Sequence, residues 1–225
     1  MRSNLEYQST ICGECPSDYD FTKIENPIEL KFLKWTDILQ SIITRLKYNI
    51  EMFEYFIPLY LLNKVIKEEF KGFFSMLLSN ISMLIAIDFS SLIEENNELK
   101  LDTYKTYCYD NPTLFKNANI SEVLDNFKID LTKAKKMFAL YLDTPRNKLF
   151  AHIDEQLLDK TFVDRAVEKV STQRMKEMLE SLMKFLSGVW EAYNGHNLCF
   201  TIKNGEDYKK LAKSICTQYG NTSFT

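Results

Sequence analysis

The chain has 225 residues, a formal net charge of −3, six glycines and five prolines. That length supplies a core for one domain, or for one domain with appendages. The acidic balance argues against a broad basic face for nucleic acid, and the scarcity of glycine and proline against a strand-and-turn architecture.

The N-terminus, Met1-Arg2-Ser3-Asn4-Leu5-Glu6, has no apolar h-region, so no secretory signal is read and the cytoplasm is the expected compartment. Residues 1–25 read as an N-terminal extension, 26–194 as a helical bundle and 195–225 as a C-terminal appendage packed on it. Asn26-Pro27-Ile28-Glu29 is a helix-start signal. The run to about Glu51 puts Ile28, Phe32, Trp35, Ile38, Leu39, Ile42 and Leu46 on one face. Pro58 is expected to end or kink that element, with a further helix to about Lys71.

Ser75–Glu94 is apolar nearly all round and is expected to be the most buried helix. The apolar stretches Met52–Ile66 and Phe73–Ile93 are interrupted, the first by Glu54, Pro58 and Asn63, the second by Asn80 and Asp88. Neither gives the roughly 20 clean apolar residues of a membrane span, so no membrane partner is expected. Residues 95–118, with Asn111-Pro112, read as a long, polar, exposed connection. Its Tyr104, Tyr107 and Tyr109 are candidates for ligand contact, although packing onto the bundle is the stronger reading. Phe53, Tyr55, Phe56, Tyr60, Phe70, Phe73 and Phe74 read as core rather than as base-stacking platforms.

Helices are expected at about 120–128, 130–142, 145–158 and 172–193. In the tail, Asn197–Ile202 reads as a short strand, Asn204-Gly205 as a turn and Asp207–Cys216 as an amphipathic helix. The fold class is therefore all-α, a helical bundle with a short irregular or α+β C-terminal tail. The five cysteines read mainly as reduced thiols, some of them buried. A structural zinc site from Cys12, Cys15, His196 and Cys199 is the minor reading, and requires the two ends of the chain to meet.

The stretch that carries chemistry is Asp143-Thr144-Pro145-Arg146-Asn147-Lys148-Leu149-Phe150-Ala151-His152-Ile153-Asp154, which holds one of only two histidines. Thr144 suits an N-cap and Pro145 the first helical position, so Arg146 and Asn147 fall among the unpaired N–H groups of a helix start, where anions bind. Arginine holds phosphate and histidine moves protons near neutral pH. Arg146 shares a face with Phe150, Ile153 and Leu157, whereas His152 points away from that stripe, with Lys148 before it. On one ideal helix Arg146 and His152 are about 9 Å apart along the axis and about 120° apart around it. A second copy of the helix would overcome that offset.

An arginine, a polar residue and a histidine at this spacing resemble the signature of the HEPN superfamily. The string Arg146-Asn147-Lys148-x-x-Ala151-His152-x-Asp154 is similar to its abortive-infection branch, whose domains serve bacterial antiphage defence. Phe73-Phe74, Ser91-Leu92-Ile93 and Asn119-Ile120-Ser121 extend the likeness weakly along the chain. The resemblance implies a HEPN-like bundle, a homodimer through the motif helix and a metal-independent endoribonuclease with no cofactor, acting on RNA as toxin or effector. Catalysis then falls to Arg146, Asn147 and His152, with Arg146, Lys148 and Asp154 contacting substrate. A cognate antitoxin or defence partner is a further implication. Some HEPN toxins carry a tyrosine two residues after the histidine, which a partner nucleotidyltransferase modifies; here that position is Asp154, so neutralisation by that route is not implied. A HEPN-like module that binds nucleotide, RNA or protein without catalysis is the alternative.

Overall fold

The computed structural model describes residues 14–62, 68–93, 100–126, 172–201 and 207–219. Among the described residues there are six α-helices and no strand: α1 Pro27–Leu62, α2 Lys71–Ile93, α3 Leu101–Asp110, α4 at 120–126, α5 Thr172–Asn194 and α6 Asp207–Tyr219. The all-α class expected from composition is what the structure has. The helices expected at 130–142 and 145–158 lie outside the described residues.

Asn26 starts α1 by accepting the Ile28 N–H at 3.0 Å, with Pro27 at the first helical position where a missing N–H costs nothing. The buried stripe of α1 is Phe32, Leu33, Leu39, Ile43, Leu46, Ile50 and Phe53, with Thr36 inside it. It is rotated from the expected face, since Ile28 and Ile38 point outward at 43% and 38% exposure. The reason is that α1 is flanked by both α2 and α5, so its covered arc is wider than one neighbour would make it.

Of the two outcomes expected at Pro58, an end or a kink, the first does not occur: α1 runs on to Leu62. It lies on the solvent side, while Phe56, Leu59 and Tyr60 are buried beside it. The carbonyl that loses its helical partner is Glu54's, and packing on both sides of the proline lets the helix run through it.

α2 returns antiparallel to α1. Ser75 Oγ donates to Tyr60 Oη at 3.3 Å near one end, and Arg45 donates to the Asp88 carboxylate at 3.0 and 3.1 Å farther along. Phe74, Leu78, Ile81, Ile85, Phe89 and Leu92 fill the seam. Burial all round was expected, yet the opposite face is open: Phe73, Met76, Leu84 and Ile87 are exposed. By length and composition α2 could cross a membrane, but half of its most apolar window is buried against protein.

The expected exposed connection contains α3. Leu101, Tyr104 and Cys108 are buried, three and four residues apart, amid Asp102, Lys105 and Thr106. Tyr104 stacks on Phe32 with centroids 6.0 Å apart and shares a 2.7 Å hydrogen bond with Thr36. Tyr107 donates to the Ile28 carbonyl at 2.8 Å, and Tyr109 donates to Asp125. All three tyrosines of this segment therefore serve packing.

α5 runs antiparallel to α1, with Lys176 paired to Glu54 at its start and Tyr193 to Glu29 near its end. Trp190 is fully buried, and its Nε1 donates to the Glu14 carbonyl at 3.0 Å, tying the N-terminal segment to α5. α4 lies against α5 where Gly188 lets it approach: a Cβ on Gly188 would stand 3.1 Å from a Val123 methyl. Gly188→Ala should change stability by less than about 1 kcal/mol, because helix propensity offsets a small shift of that methyl. Gly188→Leu should cost about 1–3 kcal/mol in urea unfolding, because the larger side chain would need Val123's space.

Residues 197–201 are irregular, where a strand was expected through Ile202. Side chains of α1 take the carbonyls a strand would have paired: Gln40 donates to Cys199 O at 2.6 Å and Lys47 to Phe200 O at 3.0 Å. Leu198 and Phe200 are buried, and so is Tyr208 of α6, whose ring meets Tyr48 and Tyr55 edge-on. The tail thus packs on the bundle.

Candidate functional site

Arg146, Asn147, Lys148, His152 and Asp154, with Asp143, lie outside the described residues. The chain leaves α4 beside the Gly188 level of α5, and re-enters at Thr172, where α5 begins near Glu54 of α1. The motif therefore belongs to the long segment that joins these two points.

The described residues contain groups that compete for a chemical role. His196 is exposed, with its backbone N–H donated to Asn194 Oδ1 at 3.0 Å and no carboxylate in reach that would form an acid–base pair with it among the described contacts. Cys108 is buried beneath Tyr104, and desolvation pushes its thiol far above the ordinary range. A thiol so held is protonated at neutral pH and is no nucleophile.

The proposed zinc ligands are brought part of the way together. Gln40 Nε2 lies 3.7 Å from Cys15 Sγ and donates to the Cys199 carbonyl, so residues from the two ends of the chain do meet on α1. Cys199 is disulfide-bonded rather than the reduced thiol expected, which removes its sulfur from metal binding in this state, and Cys12 lies outside the described residues. Among the described residues no group of three or more His, Cys, Asp or Glu is placed to hold a metal.

A cavity of about 310 Å³ opens between the start of α1, the end of α5 and the loop before α4. Tyr19, Glu29, Lys116, Tyr193 and Asn194 line it. The Tyr193 hydroxyl donates to the Glu29 carboxylate, and burial together with that contact drives its pKa up. Burial and the Glu14 charge raise Tyr19 in the same direction. Both tyrosines stay neutral, and Glu29 leaves the cavity unsuited to a phosphate, with Lys116 the one cation among the described residues of its lining. This is not the anion site that RNA cleavage needs. Sequence reasoning had no access to it, since Glu29 and Tyr193 are 164 residues apart.

The other charged feature missed at sequence level is the Arg45–Asp88 pair. Asp88 is 2% exposed and Arg45 54% exposed by side chain, so a buried carboxylate is held by a cation that reaches solvent. In the sequence Asp88 is visible only as a break in an apolar run. Compared with protein families, curated proteins and solved structures, the chain matches none.

Proposed function

We propose that the chain is a metal-independent endoribonuclease of the HEPN type, acting in the cytoplasm as a toxin or effector of phage defence. The observation that carries the reading is the Arg146-Asn147-Lys148-x-x-Ala151-His152-x-Asp154 string at a helix-start signal. The all-α architecture agrees with it.

His152 acts as general acid or base for attack of a ribose 2′-hydroxyl on the adjacent phosphorus. Arg146 binds the phosphate and stabilises the charge that builds on its oxygens. Asn147 orients the phosphate or the imidazole, Lys148 adds positive potential and Asp154 helps fix the substrate or the cationic partners. The product ends in a 2′,3′-cyclic phosphate. Purified protein should cut RNA in EDTA at the rate seen without it; strict dependence on a divalent ion would sink the mechanism.

The offset that an ideal helix would set between Arg146 and His152 gives the reading its quaternary form, a homodimer in which arginine of one chain serves histidine of the other. Arg146→Ala and His152→Ala should each be inactive alone. Co-expressed, they form mixed dimers in which one of the two sites keeps both residues, and activity should partly return. Failure to complement, with mixed dimers verified by native mass spectrometry, would exclude the cross-chain site.

A further inference from the structure

Cys199 is disulfide-bonded, whereas Cys15 and Cys108 carry thiols. The chain has five cysteines, which leaves Cys12 and Cys216 for the second sulfur of that bond. An odd set of cysteines, with one bond closed and thiols remaining, is unlike a fully paired structural framework. The two thiols differ in setting. Cys108 is fully buried beneath Tyr104, and burial keeps it protonated. Cys15 is half-buried, just before the short 3₁₀ turn Pro16–Asp18.

Cys15 stands beside Cys199. One amide nitrogen spans the two: Gln40 Nε2 is 3.7 Å from Cys15 Sγ and donates to the Cys199 carbonyl at 2.6 Å. Both residues are fixed by contacts that owe nothing to the disulfide. The Cys15 N–H donates to the Asp18 carboxylate at 2.8 Å, and the carbonyl of Glu14 accepts from Trp190 Nε1 at 3.0 Å. Leu198 and Phe200 are buried on either side of Cys199, and Lys47 holds the Phe200 carbonyl at 3.0 Å. A thiol anchored next to a disulfide meets it at an effective concentration on the order of millimolar, without a diffusing partner.

We propose that Cys15 and the Cys199 disulfide form a thiol–disulfide switch, in which Cys15 takes over Cys199 and releases the second cysteine. The Cys15 thiolate attacks Cys199 Sγ, and the Cys15–Cys199 bond forms as the original bond breaks. The electron pair leaves on the second sulfur, which takes up the proton that Cys15 gave up. No outside oxidant or reductant is consumed. Cys199 stays on α1 in both forms, because Gln40 and Lys47 hold its segment by backbone carbonyls. What changes is the cysteine tethered to it. The switch is separate from the nuclease reading and does not depend on it.

Disulfide mapping by mass spectrometry tests it. Protein purified without reductant is held at about pH 8, where thiolates form, and sampled from minutes to hours. Each sample is quenched in mildly acidic N-ethylmaleimide and digested. Cys199 should be linked to Cys12 or Cys216 in one population and to Cys15 in another, their ratio moving to a plateau. Cys15→Ser, its fold checked by circular dichroism, should keep only the first linkage, constant in time. Cys108 is sheltered by the core and should stay unlabelled, so that exchange is read in the folded chain. A wild-type Cys199 that keeps a single partner throughout overturns the proposal, and so does a Cys199 recovered as a thiol. A Cys15 linkage that arises only together with labelling of Cys108 also overturns it, since the exchange would then belong to the unfolded chain. If Cys15→Ser does not fold, the wild-type time course decides alone.

Discussion

His152→Ala should lose RNA cleavage by about 10²–10⁴-fold while its circular dichroism spectrum and melting temperature stay at the parental values. The size of the loss follows from the role. Attack by a 2′-hydroxyl requires removal of its proton and protonation of the departing 5′-oxygen, and a positioned imidazole is the side chain whose ordinary pKa allows both near neutrality. The loss should be accompanied by loss of growth inhibition in cells. A 2′-deoxy sugar at the scissile position should block wild-type cleavage to the same degree, whereas DNA binding persists because phosphate contacts do not read the sugar. Single-turnover cleavage of a short end-labelled RNA, with the fragment ends identified as cyclic phosphates, measures each point. A folded His152→Ala protein that cuts at the parental rate removes histidine from the chemistry. RNA binding with no cleavage by the wild type under any condition favours the inactive binding module.

What sequence could and could not reveal follows from the range of the forces involved. α1, α2, α5 and α6 were legible because their apolar residues recur at helical spacing and because Asn26-Pro27 marks a start. α3 was missed although Leu101, Tyr104 and Cys108 have that spacing, because ten polar-rich residues read as a loop until Phe32 and Thr36 are there to receive Tyr104. Pro58 does not end α1, because burial of Phe56, Leu59 and Tyr60 outweighs the hydrogen bond the proline removes. The strand expected at 197–202 fails for a related reason, since a strand needs a partner and the α1 side chains Gln40 and Lys47 took its carbonyls first. The candidate site divides in the same way. The Arg146–His152 spacing is a local signal and is read directly from the chain. The Glu29–Tyr193 and Arg45–Asp88 pairs join residues far apart in sequence, and only folding brings them together.

Arg45→Met should destabilise the protein by about 3–5 kcal/mol, and Asp88→Leu by much less. The asymmetry follows from burial. Removing Arg45 leaves the Asp88 carboxylate, 2% exposed on α2, without its bidentate partner in an apolar seam. Removing Asp88 leaves an arginine whose side chain is already 54% exposed and whose head can turn to water. The guanidinium's own pKa is raised by the hydrogen bond to Asp88, so it stays charged throughout and contributes no pH dependence near neutrality. Urea unfolding of the two single variants beside wild type measures the difference. The double variant Arg45→Met/Asp88→Leu should recover most of the loss at pH 8, because an apolar pair of similar volume replaces a buried ion pair at little cost. Equal destabilisation by the two single variants would mean that the pair behaves as an exposed salt bridge, and that α2 is held to α1 by its apolar seam alone.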